Sequence, residues 1–373
     1  MQAPHDAAAR LRATVHSATS GLIERDQLAE LILLAAVAQE HLLIIGPPGT
    51  AKSAVVRRVA AALGGRYFEY LLGRFTEPTE LFGPVDLRKL REGSVQVDVT
   101  GMLPEAEIAF LDEVFLGSTA ILNTLLGLLN ERRFRRSQTD LHCPLRLCVG
   151  AANALPEDDA LAAFSDRFLL HLFVDPVADH QLEALLAGGW QAEHAPLQHT
   201  AGLAELDLLC AQARTVDMQA VRGTLAAAIR KLRAAGLQLS DRRLVKTQRL
   251  IAAATVLAGR HQATDADLWP LFYVLPTRQQ QASAQDILRD SLSAAANPTL
   301  RAAVEHAVLQ PVSRAARLGE AAQCCLQDTD NPALRTMAEA LLREIDANFT
   351  AASLPPELAQ QRARLIEQLG SRA

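Results

Sequence analysis

The stretch HLLIIGPPGTAKSAVVRRV, residues 41–59, decides how this chain is read. An apolar run, His41–Ile45, enters a glycine-containing turn, and a pattern with helical spacing leaves it. The turn matches G-x-x-x-x-G-K-[ST] at every required position but one, because Ala51 stands where the second glycine belongs. Such a loop binds phosphate by aiming backbone N–H groups inward at a helix start, where the helix dipole also favours anions. Gly46, Pro47, Pro48, Gly49, Thr50, Ala51, Lys52 and Ser53 therefore form the candidate nucleotide site. Lys52 is spaced to reach the outer phosphates of ATP and the Ser53 hydroxyl to ligate Mg²⁺. Alanine is acceptable at position 51 if the chain there is already turning into the helix, in a conformation open to any L-residue; a positive φ would contradict that expectation. The bland alternative is an ordinary strand–helix turn.

A second signal lies downstream. Ile108-Ala109-Phe110-Leu111-Asp112-Glu113 is an apolar strand that ends in two carboxylates. After a phosphate loop, the first carboxylate organises the metal and the second polarises the attacking water. Asp112 is therefore expected to share the metal with Ser53, and Glu113 to act as general base. Alone, such a strand is equally a buried strand with a polar end.

Short apolar runs at 41–45, 67–72, 108–111, 145–151 and 168–174 read as strands, with helices at 54–63 and 120–129 and a short one near 158–164 between them. That alternation predicts an α/β domain with a mostly parallel sheet over residues 21–176, preceded by an N-terminal tail, 1–20. Beyond Pro176 strand signals nearly vanish. Residues 203–213, 218–235 and 241–257 carry apolar residues at helical spacing, so 177–282 reads as a helical domain. Residues 283–373 read as a helical extension cut by prolines, with Leu334, Met337, Leu341 and Ile345 on one helix face.

Composition narrows the class. Of 373 residues, 49% are hydrophobic and 21% charged, enough to bury large cores. A net charge of −5 gives no global attraction to nucleic acid or anionic membrane. The five cysteines match no zinc spacing, the start lacks an apolar signal region, and no apolar run approaches a bilayer span. A cytoplasmic protein without a membrane span is expected. The histidines show no H-E-x-x-H spacing; His194 and His199 read as surface residues.

The loop GPPGTAKS, together with "LLGRFTEPTELFGPVDL", "GMLPEAEIAFLDEVFLGSTAILNTLLGLLNERRFR" and "LSDRRLVKTQRLIAAATVLAGR" in that order, resembles the AAA+ ATPases, within them the MoxR family, and there the RavA-type branch. The likeness runs from roughly Gly21 to Gln281, and alanine before the lysine is frequent in that family. It implies an AAA+ α/β nucleotide-binding domain with an all-helical lid, and Mg-dependent ATP hydrolysis in a ring, with a hexamer as the family-wide expectation. It also implies remodelling of a protein partner, with a von Willebrand factor A (vWA) domain protein as the family-wide expectation. Asn153 resembles sensor 1, Arg167 the arginine finger that serves a neighbouring subunit, and Arg242 sensor 2, with Arg243 beside it unresolved. Gly21-Leu22-Ile23-Glu24-Arg25 resembles the segment that packs near the adenine, with Leu22 and Ile23 as its candidate contacts. The bland alternatives are a turn cap for Asn153 and a surface salt bridge for Arg167.

Two insertions stand out. "REGSVQVDVTG", with Val95, Val97 and Val99 alternating, reads as a β-hairpin within residues 87–101, and "RRFRRSQTDLHCPLRL" as a second. Arg132, Arg133, Phe134, Arg135 and Arg136 could touch nucleic acid by charge and stacking. A solvated or intersubunit face is the better expectation for an acidic chain, so nucleic acid is not the expected partner.

Overall fold

The computed structural model describes residues 4–194, 201–308 and 356–370, with isolated positions between 318 and 346. The chain divides into two units. The first comprises Met1–Pro176 with His194–Val308; the second comprises Val177–Glu193 with Leu309–Ala373.

The first unit is built on five parallel strands: β1 (Leu42–Ile45), β2 (Tyr67–Leu71), β3 (Ile108–Asp112), β6 (Leu147–Ala152) and β7 (Leu170–Phe173), in the order β2-β3-β6-β1-β7. All five expected strands form, with ends shifted by a residue or two. β1 is buried along its whole length, as a central parallel strand covered on both faces must be. Its neighbours in sequence and in space differ, so its C-terminal end opens into the crevice where this sheet class binds ligands.

Helix α1 (Pro4–Thr19) corrects the expectation of an N-terminal tail. Its Ala7, Leu11, Val15 and Ala18 recur at helical spacing and are buried in the main core, which also contains α3 (Lys52–Leu63). Helix α2 (Asp26–Ala38) is apolar nearly all round and correspondingly buried, between the sheet and the helices that follow it. Helix α4 (Pro78–Phe82) precedes the first insertion, and α5 (Leu87–Arg91) opens it. The hairpin expected there does not form. Asp86 caps α5 through the Arg88 and Lys89 N–H groups, and the valine stretch contributes an isolated bridge, Val97 with Val85. Val97 N instead donates to Thr139 Oγ1 at 2.9 Å. After α6 (Thr119–Glu131) the second expected hairpin does form, as β4 (Arg133–Arg136) against β5 (Thr139–His142).

Helix α7 (Asp159–Ser165) leads into β7. Helix α8 (Leu182–His194) then belongs almost wholly to the second unit, so the helical domain does not begin at residue 177. Helices α9 (Leu203–Ala213), α10 (Gln219–Ala234), α11 (Asp241–Leu257), α12 (Pro270–Tyr273), α13 (Arg278–Ile287) and α14 (Arg301–Val308) share the core of the first unit. That unit continues past the expected boundary at residue 282. The second unit has its own small core, in which Leu318, Leu341, Ile345, Leu358 and Leu365 are buried, and ends in α15 (Pro356–Gly370). Leu334 and Met337 lie outside the described residues, as does His199.

Candidate nucleotide site

The phosphate loop leaves the C-terminal end of β1. Gly46 is held there by its N–H to the Ala152 carbonyl, 3.1 Å, and has no room for a side chain. A Cβ at Gly46 would lie 2.2 Å from the Val174 carbonyl oxygen. Gly49 takes φ +81 in open space, so its glycine serves the turn itself. Ala51 has φ 60 and ψ 21, the left-handed region, and is the N-cap residue of α3. The expectation that Ala51 adopts an ordinary helix-start conformation is therefore wrong. Position 51 demands positive φ, which is the physical reason the motif prefers glycine there, and this chain accepts the strain of an alanine.

Lys52 is buried, and its Nζ donates to the Gly46 carbonyl at 2.6 Å and the Pro47 carbonyl at 2.9 Å. Burial holds its ammonium below the usual lysine range, against the opposing pull of Asp112 and Glu113. Ser53 follows in the first turn of α3, whose leading N–H groups lack intrahelical partners.

The carboxylates arrive from the neighbouring strands. Leu111 on β3 pairs with Gly150 on β6, so the residues that follow these two strands emerge side by side. Asp112 closes β3, and its Oδ1 accepts the Glu113 N–H at 3.0 Å. Glu113 then turns with φ 49 and ψ 45, a second left-handed position. Asn153, just past the end of β6, donates from Nδ2 to Glu113 Oε1 at 2.5 Å. Two residues forty positions apart in sequence are thus one hydrogen-bonded pair.

The arginines separate by strand direction. Arg167 precedes β7, and Leu170 on β7 pairs with Leu42, the first residue of β1. The phosphate loop begins only after Ile45, so Arg167 lies toward the opposite end of the strands, beyond roughly 13 Å of strand at ~3.3 Å per residue. Its Nε is buried without a hydrogen-bond partner. Arg242, near the start of α11, bonds the Asn130 side chain at the end of α6, and it too is not brought to the loop of its own chain. Arg243 is 3% exposed and bonds the carbonyls of Val274 (2.6 Å), Leu169 (2.8 Å) and Phe168 (3.2 Å) and the Asp166 carboxylate (3.1 Å). It also donates to His171 Nδ1 at 3.2 Å. Burial first, then the Arg243 charge, hold that imidazole well below its usual range. It is therefore neutral, with Nε2–H left to donate to Ser165 Oγ at 3.3 Å. Arg243 staples α11 to the sheet and is not free to meet a ligand.

The arginine-rich hairpin is also mostly engaged. Phe134 is fully buried, stacked on Phe82 at 5.5 Å, so it offers no stacking platform. Arg132 donates to the Leu129 and Gln39 carbonyls, Arg133 pairs with Asp140 at 2.7 Å, and Arg135 with Glu131 at 2.8 Å. The physical basis for nucleic-acid contact at this segment is largely removed.

Within the adenine-side segment 21–25, the sequence offers Leu22 and Ile23, which are half-buried, as contacts and assigns no role to Arg25, which is buried. Arg25 reaches the loop directly: its Nε donates to the Thr50 carbonyl at 2.9 Å. Its Nη2 donates to the Asp175 carbonyl at 3.0 Å, just beyond β7. The Asp175 carboxylate in turn holds Arg278 of α13 in a two-pronged pair, 2.7 and 2.8 Å, with the guanidinium 5.2 Å from the Phe173 ring centre. The signal available in the sequence is an arginine that ends the adenine-side segment itself.

The chain is similar to known proteins over most of its length. Residues 9–212 match the family described as the MoxR domain in the MoxR-vWA-beta-propeller ternary systems, a description that does not name the RavA-type branch. Residues 218–288 match an AAA lid domain. The uncharacterized protein MJ0079 of Methanocaldococcus jannaschii is 37% identical over 251 residues, 67% of this chain and 65% of that protein. The chaperone MoxR1 of Mycobacterium tuberculosis is 26% identical over 184 residues, 46% of this chain and 48% of that one. A solved structure from Cytophaga hutchinsonii, described as a candidate ATPase, superposes with a TM-score of 0.62 over 79% of this chain and 96% of its own, at 14% identity, which speaks to fold alone. With a family match across more than half its length, the chain belongs to the MoxR family of AAA+ ATPases.

Proposed function

We propose that this protein hydrolyses ATP with Mg²⁺ between the subunits of a ring, most simply a hexamer, and couples the cycle to remodelling a protein partner that carries a vWA domain. The observation that carries the catalytic part is the 2.5 Å contact between Glu113 and Asn153, in a site whose carboxylates act electrostatically on Lys52. The Asn153 amide orients the Glu113 carboxylate, and Glu113 takes a proton from the attacking water. Lys52 and the N–H groups at the start of α3 bind the phosphates. The Ser53 hydroxyl and the Asp112 carboxylate are hard oxygen donors suited to Mg²⁺. Among the described residues no group of three or more acidic, imidazole or thiol side chains forms a cage. That donor set fits an ion that shares its coordination with phosphates and water. The ion, when bound, neutralises phosphate charge. The partner class rests on the family description, which names vWA and beta-propeller components.

The strand register carries Arg167 away from its own loop, and Arg242 bonds Asn130 rather than the loop; both observations support service to a neighbouring subunit. Arginine fingers of this kind contribute ~10³–10⁵ in rate. Mixing Lys52→Ala and Arg167→Ala subunits tests the arrangement. An Arg167→Ala subunit still binds ATP and can receive a finger from a Lys52→Ala neighbour, so activity should return in mixed rings although each variant alone is inactive. Continued inactivity in rings proven to be mixed, or full activity from a proven monomer, would refute the shared site.

A further inference from the structure

Ala51 in the left-handed region poses a problem that the loop alone does not solve. An alanine there prefers right-handed φ, so something must hold the preceding peptide in place. In a trans peptide the carbonyl and the next N–H point in opposite directions. The Arg25 bond to the Thr50 carbonyl therefore fixes which way the Ala51 N–H faces.

Arg25 is itself pinned. It is 5% exposed, and its three hydrogen bonds run to the carbonyls of Glu24 (2.9 Å), Thr50 (2.9 Å) and Asp175 (3.0 Å). The Asp175 backbone is anchored in turn, because Val174 N donates to the Ile45 carbonyl at 2.8 Å and the Asp175 carboxylate holds Arg278. A buried guanidinium that bonds only carbonyls is expensive to keep, and its planar fork suits it to fixing backbone geometry.

We infer that Arg25 is a positioning residue of the phosphate loop: its bond to the Thr50 carbonyl holds the 50–51 peptide in the phosphate-binding orientation that a glycine at position 51 would adopt unaided. The inference rests on the nucleotide reading of the loop. Without Arg25, the loop with alanine at 51 populates the competent form only fractionally, and apparent affinity falls by that fraction.

The test is a double-mutant cycle read by titration of a fluorescent ADP analogue into the full chain. Arg25→Met, which keeps an unbranched apolar stem but removes the guanidinium, should weaken binding about tenfold or more. Adding Ala51→Gly should bring it back to within about threefold of Ala51→Gly alone, a non-additivity that a loss of packing would not produce. Arg25→Lys, which keeps a charged donor but loses the planar fork, should fall between and supplies the same comparison if the methionine variant does not fold. Unchanged affinity in the Arg25 variants would overturn the inference, and so would an equal loss in both backgrounds. If wild type and Lys52→Ala bind the analogue alike, the nucleotide reading itself fails, which is a distinct outcome.

Discussion

Replacing Ala51 with glycine tests the loop geometry by the sign of its effect. In an ordinary helix-start conformation, glycine costs about 0.5–1 kcal/mol relative to alanine, because the unfolded chain gains freedom. At φ 60 and ψ 21 the ledger reverses. The left-handed conformation costs an L-residue roughly 1–2 kcal/mol, and glycine is spared it. The difference leaves Ala51→Gly more stable by about 0.5–1 kcal/mol, a rise in melting temperature of roughly 1–3 °C for a unit of this size. Calorimetry of both proteins at one pH, without nucleotide, gives the comparison. A fall in melting temperature would refute the left-handed assignment, and with it the explanation of why the motif prefers glycine at that position.

Gly46→Ala should act in the opposite direction. The new Cβ would lie 2.2 Å from the Val174 carbonyl, about 1.2 Å inside ordinary contact, so β1 and β7 must part at the loop. Overpacking of this kind costs about 1–3 kcal/mol, and nucleotide affinity should fall with it; unchanged melting and binding would show that the strand ends yield freely. Glu30 makes stability depend on pH. Its carboxylate accepts the Ala303 N–H at 2.8 Å, and burial raises its pKa to about 7, partly offset by bonds from the Ala303 and Ala302 backbone. Asp26 and Arg12 act on it from α2 and α1, while Tyr273 and His306 share the surroundings of α14. A raised carboxyl pKa means that the folded state holds the extra proton between about pH 4.5 and 7, so the group's contribution to stability declines as pH rises through that window and is level above it. Glu30→Gln should remove about 2–3 kcal/mol of this dependence, seen as a flatter melting-temperature profile from pH 5 to 7.5. An unchanged profile would mean that Glu30 titrates normally.

Much of the site was legible because its chemistry is local in sequence. The strand–turn–helix around Lys52 and the strand ending in Asp112-Glu113 carry their own context, and the sheet follows from their alternation. Other features depend on what a residue meets across the fold. Val95, Val97 and Val99 alternate as a hairpin strand would, but Asp86 captures the preceding residues as a helix cap and Thr139 takes the Val97 N–H. Residues 4–19 carry an alanine-rich stripe that acquires meaning only against the core it joins. Position 51 was misjudged because φ is set by the peptide before it, and that peptide is held by Arg25 from outside the motif.

The adjacent arginines of α11 show how much more periodicity alone could have said. Ser240 caps the helix, its Oγ accepting the Arg243 N–H at 3.3 Å, and this fixes the phase of everything that follows. From Arg243, steps of four, seven and eight residues reach Thr247, Leu250 and Ile251, all buried. A helix that buries this stripe must carry the third residue after its cap inward, whatever that residue is. An arginine on such a stripe needs acceptors, and the carbonyls around β7 and at Val274 supply them. Arg242, one position earlier, is turned by about 100° from that stripe and stays only half-buried. A helix phase therefore separates two residues of identical chemistry: Arg243 holds the lid to the sheet, and Arg242 is left half-buried, bonded to the Asn130 side chain.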